Sequence, residues 1–380
     1  MIPYGHQSID KDDIDAVVKV LKSDWLTQGP NVGGFESVLA QYCGAKYAVA
    51  FCNGTAALHG AYFAAGLKKG DEFITAPMTF MATSNAGLYL GAKPVFADVD
   101  ENGNLDIEKA EKKINRKTKM ISVIDYTGRP ADLDGFRKLA RKNKLVFVED
   151  GCHALGASYK GKKVGSIADM TVFSFHPVKA ITTGEGGAVL TNDKKYYERL
   201  KIFRNHGITK ENFKFKKETD GDWYHEMQHQ GYNYRMTDIQ AALGTSQMKK
   251  LDRFIKVRKK IANAYEKALK DYADLIDLPK GDTKQISSAW HLYVIRLKGL
   301  LAKKRGEIFN KLRKAGIGVQ VHYIPVYLQP HYRSLGYKKG LCPKAEKFYE
   351  GAISLPVYPD LKPKDQNYVI KKLTDILNNG

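Results

Sequence analysis

Residues 173–187 read FSFHPVKAITTGEGG. An apolar run, Met170 to Phe175, stops at a turn containing His176 and Pro177. A lysine follows at 179, and the glycine cluster Gly184–Gly187 leads into a second apolar run, Ala188 to Thr191. A lysine placed between two strand-like runs differs from the solvated lysines that fill the rest of the chain. In a partly dry cleft its amine loses its proton readily and becomes a nucleophile toward carbonyls. The glycines after it allow the backbone to approach a ligand closely. The plainer alternative is one more surface lysine.

Working outward, further apolar runs appear at Tyr47–Cys52, Glu72–Ala76, Pro94–Val99, Met120–Asp125 and Leu145–Glu149. Several are almost continuously apolar, as expected of strands buried on both faces. Helical patterns lie between them at Thr55–Ala65, Ala82–Leu90, Ile107–Ile114 and Asp134–Lys142. The alternation predicts an α/β fold with a mostly parallel sheet covered by helices on both faces. Asp10–Lys22 reads as a capped amphipathic helix, with Ile14, Val17, Val18 and Leu21 on one stripe. Met236–Leu269 reads as one long or bent helix. The end of the chain reads as a smaller α/β unit with strands at His291–Leu297 and Gly318–Tyr323, a helix at Ala302–Ala315 and a last helix from Lys364. The expected division is a large domain over residues 1–250 and a small one over 251–380.

The 380 residues include 43% hydrophobic and 27% charged residues, ordinary for a globular protein. No run is long enough to span a bilayer and no signal peptide is visible, so no membrane role and a cytoplasmic location are expected. The four cysteines form no CxxC pair and suit no zinc site. The net charge of +20 is uneven: residues 1–100 hold 7 basic and 10 acidic side chains, and the rest carries +23. The lysines come in scattered pairs among acids, which fits solvated helix faces better than a nucleic-acid surface. An anionic small-molecule substrate also suits a basic surface.

HEMQH, His225–His229, matches a zinc-protease pattern in letters, but Gly221 and Gly231 leave little room for the helix that chemistry needs. A polar, aromatic loop over Thr209–Tyr234 is the better reading, and its aromatic content argues for function. NGTAAL, Asn53–Leu58, follows the first core strand and opens a helix, a place where free amides bind phosphate. VEDGCHALGA, Val148–Ala157, ends a strand in Glu149 and Asp150, where a carboxylate can hold a cationic ring nitrogen or simply cap a helix. A phosphate turn, a strand-end aspartate and a loop lysine are together the parts that a pyridoxal phosphate site requires.

SFHPVKAITTGEGGAVLTND, Ser174–Asp193, resembles the lysine motif of the DegT/DnrJ/EryC family of sugar-nucleotide aminotransferases. WLTQGP (Trp25–Pro30), NGTAAL, APMTFMATSNA (Ala76–Ala86), EDGCHALGA, RNHG (Arg204–Gly207), GYNYRMTDIQAALG (Gly231–Gly244) and VQVHYIPVYLQPHY (Val319–Tyr332) extend the resemblance over nearly the whole chain. It implies the aspartate-aminotransferase fold, pyridoxal 5'-phosphate and a homodimer with shared active sites. Lys179 then looks like the lysine that carries the cofactor and shuttles the proton. Asp150 looks like the partner of the pyridinium nitrogen, and His153 like the neighbour of the ring hydroxyl. Phe80 would stack on the ring, and Gly54, Thr55, Ala56 and Ser174 would hold the phosphate. Asn233 would reach that phosphate from the neighbouring subunit. Tyr4, Leu26, Thr27, His322, Tyr323, Pro325 and Tyr332 would contact the sugar nucleotide. Gly151-Cys152 and Ala180 depart from the residues more familiar in relatives. Dehydratases of the family carry a histidine in place of the lysine, so Lys179 favours amine transfer. Within the family, SFHPVK and QVHYIPVY look most like the branch that aminates carbon 4 of a UDP-linked 4-keto-6-deoxy-N-acetylhexosamine, with glutamate as donor, in pseudaminic acid synthesis. The alternatives are a C3 or C4 aminotransferase for another nucleotide-linked keto sugar, of the perosamine type, or a regulatory protein of this fold without catalysis.

Overall fold

The computed structural model describes residues 1–209 and 221–378. All seven runs expected to form the core sheet are strands: β1 (Tyr47–Phe51), β2 (Glu72–Thr75), β3 (Lys93–Phe96), β4 (Thr118–Ile124), β5 (Val146–Asp150), β6 (Met170–Ser174) and β7 (Gly187–Thr191). They lie in the order β1-β7-β6-β5-β4-β2-β3. β7 alone runs against its neighbours, so the sheet is mostly parallel. Alternate residues are buried on opposite faces: Met120, Val148, Met170 and Val172 on one side, Ile121, Val123, Phe147 and Phe173 on the other. Burial on both faces explains why these strands read as apolar runs.

The helices that cover the sheet begin with α1 (Lys11–Leu21), α2 (Pro30–Cys43), α3 (Gly54–Ala64), α4 (Ala82–Leu88), α5 (Ile107–Glu111), α6 (Leu133–Lys142) and α7 (Lys194–Phe203). Asp10 caps α1 through a reciprocal capping box with Asp13, where the sequence placed that start. α2 and α7 were not foreseen. α2 is opened by Pro30 and closed by left-handed Gly44, both ordinary helix boundary signals, but its apolar stripe is weak.

The expected single helix over Met236–Leu269 is two helices, α8 (Asp238–Met248) and α9 (Leu251–Leu269). The chain turns between them, and Lys250 there pairs with Asp10 and Asp13 of the α1 start. A small antiparallel sheet follows, with β8 (Ile276–Asp277), β9 (Tyr293–Leu297) and β10 (Ala352–Leu355). Around it lie α10 (Gly299–Lys303), α11 (Arg305–Lys314), α12 (Pro330–Ser334), α13 (Pro343–Gly351) and α14 (Pro363–Asn378). α10 and α11 divide the helix expected over Ala302–Ala315, at Lys304. Their apolar residues share one core with Ile261 and Tyr265 of α9. Gly318–Tyr323 is not a strand: only Gln320 bridges Ser354, and the segment then turns to line a cleft.

Part of the loop expected over Thr209–Tyr234, residues 210–220, lies outside the described residues. Within HEMQH, Glu226–Met227 forms a short strand paired with Ile208–Thr209, so its two histidines do not share a helix face.

Candidate active site

The carboxyl ends of β5 and β6, the first turn of α3, α4 and the segment 320–324 enclose a cleft of about 1000 Å³. Its floor is the loop after β6. That loop is tied down where it leaves and returns: Phe175 N–H donates to Gly186 O (2.9 Å), Thr183 N–H to Phe175 O (3.0 Å), and Lys179 N–H to His176 O (2.9 Å). Lys179 is thereby delivered to the cleft. Its carbonyl accepts from the guanidinium of fully buried Arg258 (3.3 Å), which also donates to Val357 O (2.8 Å). Burial lowers the pKa of the Lys179 amine, while Cys152 and Asp150 act in the opposite direction.

Asp150 is 2% exposed and has its carboxylate placed by two donors. The Thr83 hydroxyl gives one bond (2.6 Å), and the Cys152 amide gives the other (3.2 Å). Thr79, four residues earlier in the turn that precedes α4, lies 2.7 Å from Thr83. Across the cleft, Gly54, Thr55 and Ala56 open α3 beside Ser174. A Cβ on Gly54 would lie 2.9 Å from Ser174 Cβ, and one on Gly187 would lie 2.5 Å from Asn53 O. Glycine at both points lets the helix start press against the strand ends, and the first-turn amides of a helix are ready anion ligands.

The third wall is aromatic and imidazole-rich. Phe80 is 55% exposed, although most phenylalanines in this chain are buried. The Tyr323 hydroxyl lies 3.2 Å from His153 Nε2, and the His153 ring lies 4.3 Å from that of His291. Burial pushes His153 and His291 well below the ordinary histidine range, so both are neutral at physiological pH. Burial also lowers His322, to about 3, with the Lys179 charge adding to the effect; its Nδ1 lies 2.7 Å from Ser354 Oγ.

Of the residues singled out in the sequence, Tyr4, Gly54, Thr55, Ala56, Phe80, Asp150, His153, Ser174, Lys179, His322 and Tyr323 line this cleft. Five do not. Tyr332 is 2% exposed, packs on Phe96 and Tyr337, and donates its hydroxyl to Asn85 (2.6 Å), so it is a core residue. Pro325 is buried beside the cleft, where the next residue, Val326, ties the chain to Pro77 O. Leu26 and Thr27 are exposed outside it, and Thr27 bridges Thr237. Asn233 is exposed and bridges Asn205. Thr79, Thr83, His291 and Arg258 were missed. Thr79 and Thr83 stand at helical spacing inside the APMTFMATSNA motif, and Arg258 interrupts the apolar series Leu251, Phe254, Ile261, Tyr265, so both had a signal. His291 had none.

With an amine, a strand-end carboxylate and a helix start set around one cleft, the comparison with known proteins is decisive. Residues 7–374 match the DegT/DnrJ/EryC1/StrS aminotransferase family. The chain belongs to that family. Over 380 residues it is 41% identical to the UDP-4-amino-4,6-dideoxy-N-acetyl-beta-L-altrosamine transaminase of Campylobacter jejuni serotype O:23/36, covering 99% of this chain and 98% of that one. Its fold superposes on Helicobacter pylori PseC, an aminotransferase involved in the biosynthesis of pseudoaminic acid, with a TM-score of 0.93 at 36% identity and full coverage of both chains. The pyridoxal-phosphate form of the Streptococcus pneumoniae sugar aminotransferase Spr1654 superposes with a TM-score of 0.92 at 31% identity, covering 100% of this chain and 99% of that one. As a DegT/DnrJ/EryC1/StrS member the chain is a pyridoxal-phosphate-dependent sugar-nucleotide aminotransferase. Its own residues fit the cofactor: the glycine cradle beside Ser174 suits a phosphate, and buried His153 Nδ1 has no hydrogen-bond partner among the described residues. Among the described residues, no helix is long and apolar enough to cross a membrane.

Proposed function

We propose that this aminotransferase moves an amino group from glutamate to carbon 4 of a UDP-linked 4-keto-6-deoxy-N-acetylhexosamine, in pseudaminic acid synthesis. The observation that carries the reading is the convergence of Lys179, Asp150 and the α3 start on one cleft roomy enough for cofactor and sugar together. The branch assignment draws on the Campylobacter relative, named as a UDP-4-amino-4,6-dideoxy-N-acetyl-beta-L-altrosamine transaminase, and on the Helicobacter aminotransferase, described as involved in the biosynthesis of pseudoaminic acid.

When bound, pyridoxal phosphate supplies an electron sink for the donor's α-carbon. Asp150, braced by Thr83 and the Cys152 amide, would hold the ring nitrogen and keep it protonated. The first turn of α3 and the Ser174 hydroxyl bind the phosphate. Phe80 would stack on the ring, and neutral His153 would neighbour the ring hydroxyl. The Lys179 amine, whose pKa burial lowers, would carry the proton from the donor's α-carbon to the cofactor carbon, and would carry a proton the opposite way in the second half-reaction, to the sugar carbon that receives the amine. Tyr4, His322 and Tyr323 contact the sugar nucleotide. Asn233 lies away from its own cleft and completes the site of a neighbouring subunit in a homodimer.

The test is to supply purified protein with pyridoxal phosphate, glutamate and a panel of UDP- and other nucleotide-linked keto sugars, reading products by NMR. A 4-amino product from the UDP-4-keto-6-deoxy-N-acetylhexosamine is expected. Preference for a different keto sugar overturns the substrate. Absence of amino sugar throughout, with cofactor bound, points instead to a regulatory protein.

A further inference from the structure

We propose that Asp125 and Glu149 form a buried carboxyl pair that shares one proton and sets a single negative charge behind the strand end that carries Asp150. The part concerning Asp150 rests on the function proposed above.

Sheet register brings the two carboxyls together. Glu149 of β5 pairs with Val123 of β4 on one side and with Thr171 of β6 on the other. Asp125 lies two residues beyond Val123 and so takes the same face of the sheet, while Asp150 takes the opposite face. Asp125 and Glu149 are both 0% exposed, and each has one oxygen satisfied. Asp125 Oδ1 accepts from the Ala131 amide (3.0 Å), and Glu149 Oε2 accepts from the Thr171 hydroxyl (2.6 Å). The other two oxygens, Asp125 Oδ2 and Glu149 Oε1, have no hydrogen-bond partner among the described residues. Register and full burial thus set the two carboxyls on one face of neighbouring strands, where each acts on the other's protonation.

Two ionised carboxylates in that position would be strongly unfavourable, because ionised groups are acceptors only and neither forms an ion pair among the described residues. One proton between them turns two unmet acceptors into a single O–H···O bond. The titratable groups set against the pair are Asp150 from β5 and the Cys43 thiol from α2, which burial pushes up, with Glu149 adding to it. Burial, with Glu149 adding to it, pushes the Asp125 carboxyl well above the usual range. The pair is tied to the cofactor strand directly, since the Asp125 amide donates to Asp150 O (3.1 Å). Its remaining negative charge favours a cation on the Asp150 side of the sheet, where the protonated ring nitrogen binds.

A carboxyl raised on folding binds more protons in the folded chain than in the unfolded one, so its contribution to stability is present at low pH and is lost as pH rises above the ordinary carboxylate range. Cofactor-free wild type and Glu149→Gln are melted from about pH 5 to about pH 9. The glutamine amide donates to Asp125 without a proton to lose, so the melting temperature of the variant relative to wild type should climb with pH. Parallel curves overturn the shared proton. Glu149→Ala leaves Asp125 Oδ2 unmet and should melt lower throughout; equal melting of the alanine and glutamine variants also overturns it. If Glu149→Gln does not fold, infrared spectra of wild type at neutral pH must still contain a protonated carboxyl band that shifts in D2O, and its absence overturns the pair. The charge is tested with Asp125→Asn/Glu149→Gln, which removes it, whereas Glu149→Gln alone keeps it. By absorbance titration the double variant should bind pyridoxal phosphate about fivefold or more weaker than Glu149→Gln, about 1 kcal/mol; equal affinity overturns the link to Asp150. Failure of wild type itself to bind the cofactor counts against the proposed function, and the cofactor-free melting curves still decide the pair.

Discussion

At the residue scale, Lys179 and Thr83 act through different physics. Lys179→Ala is expected to abolish amine transfer while the protein still binds pyridoxal phosphate, checked by product NMR and by equilibrium dialysis. The lysine also bears on stability. Its folded pKa lies below its ordinary value, so the unfolded chain binds more protons, and stability rises with pH up to the ordinary lysine range. Lys179→Met should therefore raise the melting temperature of the cofactor-free protein at neutral pH, with the gain shrinking as pH rises. Thr83→Val removes a hydroxyl that donates to the Asp150 carboxylate. Loss of a charge-assisted bond of this kind costs about 1.5–3 kcal/mol. We expect cofactor affinity to fall by tenfold or more in an absorbance titration, with Lys179 untouched. Thr83 stood inside a motif read for its phenylalanine alone; that its hydroxyl braces Asp150 follows only once α4 is folded over β5.

At the element scale, Arg258 of α9 holds the lysine loop to the C-terminal part of the chain. Its guanidinium donates to Lys179 O and Val357 O, and burial lowers its pKa to about 10. Arg258→Met would keep the packing and leave these carbonyls without their donor. Removing one partner from such a buried polar set costs about 3 kcal/mol or more, which urea unfolding would read as a lower midpoint. The strands were legible because burial on both faces writes a continuous apolar run. The break between α8 and α9 was not, since both sides carry a helical pattern and the turn is met by Lys250 reaching Asp10 and Asp13, more than 200 positions away. Gly318–Tyr323 misled for a similar reason: its alternation suits a strand, but the residues serve the cleft wall.

At the scale of the whole molecule, the exposed position of Asn233 sets up a subunit test. Lys179→Ala and Asn233→Ala proteins should each be impaired. If Asn233 serves the neighbouring cleft, refolding them together gives mixed dimers with one native site each, and activity should recover to about a quarter of wild type by random pairing. No recovery above the sum of the separate variants would place Asn233 in its own subunit's chemistry or outside the chemistry altogether. The basic surplus has a plainer setting, with exposed lysines in local pairs such as Lys11 with Asp15 and Lys311 with Glu307, contacts that are worth little singly.

The seven core strands, the α1 cap, the family and the parts Lys179, Asp150 and the α3 start could all be read from order and spacing alone, because buried strands, helix caps and phosphate turns are written in neighbouring residues. Which of the candidate residues meet was decided by the fold. Packing put Tyr332 in the core, kept Leu26, Thr27 and Asn233 out of the cleft, brought His291 into it, and set Glu149 against Asp125 on the far side of the sheet from Asp150. Strand register and long-range contacts determine such pairings, and a linear pattern carries neither.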